Sequence, residues 1–265
     1  MCILRFSLAA LFALLITPAD AVDESKWQLT WQDEFNGETL DSSKWSRCKR
    51  AKSDWNNTMS DDPNLVQLEN GILRLRGVQN PDTDSDPSPF LTAGVHSKGK
   101  FSFCYGKIQV KARFKSAQGA WPAIWMLGES GGWPNNGEID LMEHLNFDRK
   151  AYQTLHSYYT LKVDKTNTPR KGVNGPINRD GWNTYGCEWD EDSVVFTING
   201  KATHTYPRVP EKGPEQWPFK HPFYLLLTMQ IGGGWVNGPG PSKPEHYPAH
   251  LEIDWVRVYK PAGDK

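Results

Sequence analysis

Three acidic residues lie close together in residues 136–144, which read Asn-Gly-Glu-Ile-Asp-Leu-Met-Glu-His. Alternate side chains of a regular β-strand point to opposite faces, so Glu138 and Asp140 would share one face and Glu143 would lie on the other. A bulge that takes up one extra residue at Leu141-Met142 would return Glu143 to the first face, and bulges are frequent beside active sites. The spacing therefore predicts three carboxyl groups in a row on one face of a sheet.

Such a row of acids suits the cleavage of glycosidic bonds. Neighbouring carboxyl groups raise one another's pKa, so at neutral pH at least one acid should keep its proton. In glycosidic cleavage one carboxylate attacks the anomeric carbon, while a protonated carboxyl group protonates the leaving oxygen and later activates water. A calcium site and a solvated strand face are the alternatives. Calcium ligands usually come from a loop that wraps the ion, so the pattern favours catalysis.

Short segments of alternating apolar and polar residues, broken by Gly, Pro, Asn and Asp, dominate the rest of the chain. Period-two alternation is typical of half-buried strands, and Asn199-Gly200 has the sequence of a two-residue hairpin turn. Many strands with turn signals between them predict an all-β fold, an antiparallel sandwich or barrel. The clearest strand segments are residues 71–77, 106–114, 193–199, 223–231 and 251–259.

The N-terminus has the parts of a secretory signal peptide: a basic residue, an apolar run over residues 6–16 and the small-x-small site Ala19-Asp20-Ala21. A membrane anchor is the alternative, but the run is about half of the ~20 residues that a spanning helix needs. We therefore expect a signal peptide over residues 1–21 and a secreted protein, extracellular or periplasmic. No repeat or linker divides residues 22–265, which are expected to form a single catalytic domain.

The charge balance says which partners to expect. The chain has 30 basic and 31 acidic residues among 265. A nucleic-acid or anionic-membrane partner ordinarily requires a basic excess, so we expect neither, and a neutral partner is favoured. We expect a monomer.

The cysteines do not define a site. Cys2 lies in the signal segment, which leaves Cys48, Cys104 and Cys187, an odd number without short-range pairing. A metal site or a disulfide framework would need closer spacings or an even count. One disulfide with one free thiol and three buried thiols both stay open.

The acidic segment resembles the Glu-x-Asp-x-x-Glu signature of glycoside hydrolase family 16, in the bulged form typical of laminarinases and their agarase and carrageenase relatives. Further motifs resemble the family over nearly all of residues 22–265. The resemblance implies a curved β-jelly roll, an antiparallel β-sandwich with a substrate cleft on its concave face, and a retaining mechanism. The further motifs are Trp31-Gln-Asp-Glu-Phe-Asn-Gly37, Tyr105-Gly-Lys107, Gly119-Ala-Trp-Pro-Ala-Ile-Trp-Met-Leu127 and Ile253-Asp-Trp-Val-Arg-Val-Tyr259.

The same resemblance assigns roles to individual residues. It implies that Glu138 is the nucleophile, Glu143 the acid/base, and Asp140 the residue that tunes the pair. No cofactor is required for this chemistry. The resemblance also implies a structural calcium ion away from catalysis, and the matching positions are Glu34, Gly71 and Asp254. Carbonyl and carboxylate oxygens suit that ion.

Several tryptophans match positions where family laminarinases stack glucose rings. These are Trp121, Trp125 and Trp133, and the first two share a strand face because they are four residues apart. Trp235, in the glycine-rich loop 232–237, is expected at the rim of the cleft. Core packing is the alternative reading of each indole.

Two polar residues are further candidates for substrate binding. His156 resembles a family histidine that faces the cleft, and Gln230 shares a strand face with Thr228, so its amide is expected to bond a sugar hydroxyl. The chain departs from the family at residues 92–96, Thr-Ala-Gly-Val-His, where many laminarinases carry Ser-Ala-Arg. Loss of that arginine is expected to alter the accepted linkage.

These features predict an endo-acting β-glucanase that cleaves β-1,3- or mixed-linkage β-1,3/1,4-glucan with retention. A hydrolase of a galactan (agarose, porphyran or carrageenan) is the enzymatic alternative, although a sulfated galactan would favour a basic cleft. A non-catalytic β-glucan-binding protein on the same fold is the alternative from another class. Such relatives generally lack the catalytic glutamates, whereas this chain keeps all three acids.

Overall fold

Alternating segments of the sequence become strands in the computed structural model, which describes residues 26–238 and 240–263. The segment predicted to be a signal peptide lies outside these residues. The strands are β1 (Trp27–Asp33), β2 (Ser46–Arg47), β3 (Val66–Glu69), β4 (Ile72–Gln79), β5 (Phe90–Thr92), β6 (Gly94–His96), β7 (Gly106–Lys115), β8 (Ala120–Gly128), β9 (Glu138–Glu143), β10 (Lys150–His156), β11 (Gly172–Pro176), β12 (Asn183–Trp189), β13 (Ser193–Ile198), β14 (Lys201–Pro207), β15 (Phe223–Ile231) and β16 (Ala249–Pro261).

The five predicted strand segments coincide with β4, β7, β13, β15 and β16, which confirms them. Asn199 and Gly200 join β13 to β14 with φ angles of 51° and 76°. Positive φ at both central residues is the hairpin turn that Asn-Gly favours. The helical elements of the described residues are short and lie in connections, and no helix there is long and apolar enough to cross a membrane. They are Pro63–Leu65, Tyr159–Val163, Pro210–Lys212 and Pro244–His246.

The strands form two antiparallel sheets that pack face to face as a jelly-roll β-sandwich. The nine-stranded sheet has the order β14-β13-β12-β7-β16-β4-β3, with β1 paired to β16 and β5 paired to β4. The seven-stranded sheet has the order β11-β10-β9-β8-β15-β6-β2. We call the seven-stranded sheet the site sheet, because β9 carries the three acids near its centre.

Strand β15 shows how the site sheet is covered. Leu225, Leu227 and Met229 face the main core between the sheets. Tyr224 and Leu226 belong instead to a second, smaller buried cluster on the opposite face. All nine residues of β15 are consequently buried, although a sandwich strand normally has one face exposed. Another segment of the chain therefore covers the outer face of the site sheet beside the acids.

The bulge predicted in β9 is present. Asp140 pairs with Trp125 of β8, but the next pair is Met142 with Ile124, so Leu141 has no partner on β8. Glu143 is thereby returned to the face of Asp140, opposite the core. Leu141 and Met142 are both fully buried, so the extra residue adds a second apolar side chain to the core.

A buried side chain satisfies the backbone of this bulge. Gln153 of β10 is fully buried, and its Nε2 donates to the carbonyl oxygen of Leu141 at 2.9 Å and to that of Thr197 at 3.2 Å. The hydroxyl of Thr203 donates to Gln153 Oε1 at 2.5 Å. A bulge leaves a carbonyl without its ladder partner, and a buried orphan carbonyl is costly. Gln153 therefore holds the β9 backbone in the bulged form.

Replacement of Gln153 by leucine should destabilise the fold, because the carbonyl of Leu141 and the other two partners of Gln153 lose their hydrogen bonds. Gln153→Leu keeps the volume but leaves buried polar groups unpaired, which should cost about 1–3 kcal/mol. Urea unfolding at pH 7 measures the loss. Gln109→Leu, on the outward face of β7, is the matched control and should change stability by about 0.5 kcal/mol or less. Equal effects of the two substitutions would show that Gln153 does not support the bulge.

Candidate active site

The three acids of β9 line one cavity on the outer face of the site sheet. The cavity has a volume of about 300 Å³, at the lower end of the range for ligand sites. Asp140 is 2% exposed and Glu143 is 7% exposed, so these carboxyl groups have little contact with water. Four tryptophans share the cavity with the acids: Trp55, Trp121, Trp125 and Trp133.

Two indole groups hold the outer two acids. Trp133 Nε1 donates to Glu138 Oε2 at 2.6 Å, and Trp121 Nε1 donates to Glu143 Oε1 at 3.0 Å. Trp133 is 57% exposed, so its face is open to a ligand. Each tryptophan thus combines an apolar face, as a sugar ring requires, with a hydrogen bond that fixes a carboxyl group.

Burial changes the acid–base properties of all three acids. It raises the pKa of Glu138 to about 7, against hydrogen bonds from Trp133 and Asp140 that lower it. It raises the pKa of Glu143 to about 8, with a further contribution from the charge of Glu138. Burial, together with the charges of both glutamates, raises the pKa of Asp140 well above its usual range. All three acids therefore keep their protons to a higher pH than ordinary carboxyl groups do.

His156, on the neighbouring strand β10, lies beside two of the acids. It pairs with Glu138 across β10 and β9, and its Nε2 lies 3.4 Å from Asp140 Oδ2 and 3.9 Å from Glu138 Oε1. Burial lowers the pKa of His156 to about 4. The imidazole is therefore uncharged at neutral pH, and its contact with the acids is polar but not ionic.

One group of described residues has potential metal-ligand atoms close enough together to hold an ion. These atoms belong to Glu138, Asp140 and His156 and lie within 4.8 Å of one another. Two carboxyl groups and an imidazole are reasonable metal ligands. A hydrogen bond from Asp140 lowers the pKa of Glu138, and His156 is neutral. Asp140 Oδ2 and His156 Nδ1 are buried and have no hydrogen-bond partner among the described residues.

The remaining residues that the sequence predicted for substrate binding lie at different depths. Trp235 is 46% exposed and contacts Trp121 edge to face, with ring centroids 5.7 Å apart, so it lies beside a tryptophan that lines the cavity. Trp125 is only 6% exposed, and its Nε1 donates to Thr228 Oγ1 at 3.1 Å, so it forms the floor of the cavity.

Gln230 has a different environment from the one expected. Its Nε2 donates to Asn57 Oδ1 at 2.9 Å and to the carbonyl of Ile231 at 2.7 Å, while its Oε1 accepts from Thr58 Oγ1 at 2.9 Å. Both donors of the amide are thus used inside the protein, and Gln230 is 1% exposed. Gln230 lines the cavity but is a bracing residue, because no donor is left for a sugar hydroxyl.

Ser53 and Trp55 line the cavity, and the sequence did not point to them. They lie in a polar stretch without strand alternation, far along the chain from β9. The only local signal was Trp55 itself, and an isolated tryptophan is more often a core residue than a ligand platform. Their place in the site follows from tertiary packing.

The positions expected to bind calcium carry carboxylates that neighbouring cations already use. Glu34 accepts two hydrogen bonds from Arg257, at 2.8 and 3.0 Å. Asp254 pairs with Lys111 at 2.7 Å. These side chains do not fit a calcium site unless the ion pairs break, so backbone carbonyls of Glu34 and Gly71 would be the donors left. Calcium stays a prediction.

The cysteines are separate thiols. Cys48, Cys104 and Cys187 are all free, and the first and last of them are buried. Of the two arrangements that the sequence left open, the structure shows three thiols and no disulfide among the described residues.

The fold and the site together define a β-sandwich glycosidase. Residues 49–257 match the model of glycosyl hydrolases family 16, which is more than half of the chain, so the chain belongs to that family.

Relatives with different substrates are similar to it. A keratan-sulfate endo-1,4-β-galactosidase of Sphingobacterium multivorum is 38% identical over 91% of this chain, which spans 57% of that relative's length. A β-glucanase of Rhodothermus marinus is 31% identical over 96% of this chain and 93% of its own. The solved structure of a laminarinase from Rhodothermus marinus superposes with a TM-score of 0.78 at 28% identity, over 89% of this chain and 98% of its own.

Removal of the central acid should stabilise the fold in a pH-dependent way. An unfolded chain loses the Asp140 proton near pH 3.8, whereas the folded protein keeps it to a much higher pH. The contribution of Asp140 to the stability of the wild type therefore falls as pH rises above about 4. Asp140→Asn has no proton to lose, so its advantage should grow by about 1 kcal/mol for each pH unit above pH 4.

Urea unfolding at pH 4, 5 and 6 measures this trend. Asp192→Asn, in an exposed turn, is the control and should show no such growth with pH. A constant difference between Asp140→Asn and wild type would contradict the burial of an ionisable proton at Asp140.

Proposed function

We propose that the chain is a retaining, endo-acting glycoside hydrolase that cleaves β-1,3- or mixed-linkage β-1,3/1,4-glucan. The observation that carries this proposal is the placement of Glu138 and Glu143, at the two ends of β9 and in one tryptophan-lined cavity, where burial raises the pKa of both carboxyl groups. A retaining glycosidase needs one ionised carboxylate and one protonated carboxyl group side by side. The resemblance of the acidic segment to the family signature assigns the first role to Glu138 and the second to Glu143, and a raised pKa of about 8 suits Glu143 as the group that holds the proton.

In the first step of the proposed mechanism, Glu138 attacks the anomeric carbon while Glu143 gives its proton to the departing glycosidic oxygen. A covalent glycosyl-enzyme forms, and the sugar that leaves carries the new hydroxyl group. In the second step Glu143, now ionised, takes a proton from water, and the resulting hydroxide displaces Glu138 from the same carbon. Two displacements at one carbon restore its original configuration.

The neighbouring residues are proposed to set the charge of the nucleophile. Asp140 keeps its proton and bonds Glu138, which stabilises the ionised form of Glu138. Trp133 donates a second hydrogen bond to the same carboxylate. Neutral His156 adds no positive charge that would make Glu138 a weaker nucleophile. The tryptophan faces would bind sugar rings through their apolar C–H surfaces.

A β-glucan substrate is supported by the relatives named as a β-glucanase and a laminarinase. The cavity adds a physical argument, because none of the described residues that line it is arginine or lysine. A lining that has acids but no basic side chain favours neutral sugar rings over sulfated ones. A galactose-containing polymer is the second candidate, and the 38% identical keratan-sulfate endo-1,4-β-galactosidase supports it.

Side-by-side digestion separates these candidates. Laminarin, barley mixed-linkage glucan, keratan sulfate, agarose and carrageenan are each incubated with the protein, and new reducing ends are measured. We expect release from the two glucans, with Glu138→Ala as the inactive control. Release from galactose-containing polymers alone would overturn the glucan proposal, and binding of glucan without release would overturn the hydrolase proposal.

Substitution of each glutamate should separate their roles. Glu143→Ala should lower kcat on polysaccharide by about 10²–10⁴-fold, the usual contribution of a general acid. It should still react with aryl glycosides whose leaving groups need no protonation, and azide should restore turnover with a β-glycosyl azide as product. Glu138→Ala loses the nucleophile, so no substrate should be turned over with retention. A β-glycosyl azide from Glu138→Ala, in place of Glu143→Ala, would reverse the assignment.

A further inference from the structure

The segment that covers the outer face of the site sheet beside the acids is residues 49–60, which we call the wall segment. It follows β2 at one edge of the site sheet and folds back over β6 and β15. Met59 packs in the small buried cluster with Tyr224 and Leu226 of β15. The continuous burial of β15 is therefore caused by the wall segment. The outer face of the sheet is blocked on this side of the cavity.

The inner side of the wall segment is fixed to the floor of the cavity. Asn57 accepts from Gln230 Nε2 and Thr58 donates to Gln230 Oε1, each at 2.9 Å. The Trp55 indole meets Trp125 edge to face, with ring centroids 5.0 Å apart. Trp55 is only partly buried and lines the cavity, so one part of its ring packs on the floor and another part faces the ligand space.

The outer side of the wall segment is held by two further contacts. Arg50 forms a two-pronged ion pair with Asp86, both distances being 2.7 Å. Asp54 Oδ2 accepts from the backbone N–H of Gly234 at 2.9 Å. That hydrogen bond joins the wall segment to the loop that carries Trp235. The wall is consequently anchored on both sides and is a fixed boundary.

Gly94 of β6 allows the wall segment to lie this close to the sheet. A Cβ atom at this position would come within 3.0 Å of Thr228 Cγ2, and within 3.1 Å of Cys48 Sγ and of Met59 Cε. A long side chain at position 94 would occupy the space where Met59 now packs. The absence of a side chain at position 94 and the covered sheet face are thus one structural feature.

Trp55 of the wall segment lies close to the acids. Trp125, on which Trp55 packs, is the direct β8 partner of Asp140. Neighbouring strands are ~5 Å apart, so the ligand space between Trp55 and the row of acids is only a few strand spacings wide. A cavity of about 300 Å³ has room there for few sugar rings.

We propose that Trp55 is a specificity-determining residue that ends the cleft on one side of the acids and sets how many sugar units bind there. This inference rests on the proposed hydrolase function. A cleft that ends on one side narrows the endo-acting mode, because it places the cleaved bond a few sugar units from one end of the polysaccharide chain. The oligosaccharide that occupies the walled side is short and has a narrow range of lengths.

The test is the length distribution of the first products, measured by mass spectrometry on whichever polysaccharide the wild type cleaves. Trp55→Ala should shift the distribution by at least one sugar unit to longer products and broaden it. It should also lower kcat/KM by about tenfold, the size of one lost aromatic contact. Trp55→Phe should keep the short products, because a ring still closes the cleft.

Asp54→Ala is the second variant, since the side chain is exposed and its loss removes only the hydrogen bond to Gly234. It should shift product length in the same direction by a smaller amount. Trp182→Ala is the matched control, because Trp182 packs against Lys111 and Arg113 on the opposite sheet. This control should leave product length unchanged.

These outcomes distinguish failure of the Trp55 proposal from failure of the proposed hydrolase function. Unchanged product lengths in active Trp55→Ala and Asp54→Ala would overturn the role of Trp55. Absence of cleavage by the wild type would overturn the hydrolase function alone, and the wall is then tested by binding of glucan oligosaccharides of increasing length. The affinity of the wild type should stop rising at a shorter oligosaccharide length than the affinity of Trp55→Ala does. If both affinities stop rising at the same length, Trp55 does not end the cleft.

Discussion

The structure depends on the burial of three carboxyl groups in a row on one strand. Three ionised carboxyl groups buried side by side would repel one another and would lack hydration. Protons and hydrogen bonds stabilise them in place of water. The outer acids each accept a hydrogen bond from an indole, and burial raises the pKa of the middle acid well above its usual range. The neutral imidazole of His156 fits the same requirement, because its surroundings also disfavour charge. Desolvation thus raises the proton affinity of both glutamates.

The rest of the fold supports the three acids, although their alignment interrupts the regular strand pairing of β9. The bulge that aligns Glu143 with Asp140 removes a ladder partner from Leu141, and the buried amide of Gln153 replaces it. Gln230 is used in the same way on the other side of the cavity, where it ties the wall segment to β15. Both glutamines are buried in a sandwich whose other interior residues are mostly apolar. Polar networks of this kind fix one arrangement of the backbone, provided that every member is satisfied.

Much of this arrangement could be predicted from the sequence. Strand alternation and Asn199-Gly200 gave the all-β class, and the spacing of Glu138, Asp140 and Glu143 required a bulge, because only an extra residue puts the third acid on the shared face. The environment of Gln230 could not be predicted, since its partners Asn57 and Thr58 are remote in the sequence. Trp55 was missed for the same reason: residues 49–60 have no periodicity, and their position depends on the space left above Gly94. Local pattern thus predicted the strands, whereas contacts between distant segments decided the walls of the cavity.

The central claim is that Glu138 and Glu143 act as nucleophile and acid/base in a double displacement. Its most direct test is proton NMR of the polysaccharide that the protein cleaves, recorded in the first minutes of hydrolysis before the released sugar mutarotates. The account predicts that the β-anomer of the new reducing end appears first and that the α-anomer grows in later. Initial release of the α-anomer would contradict it, because a single displacement by water inverts the configuration and leaves no role for a nucleophilic Glu138.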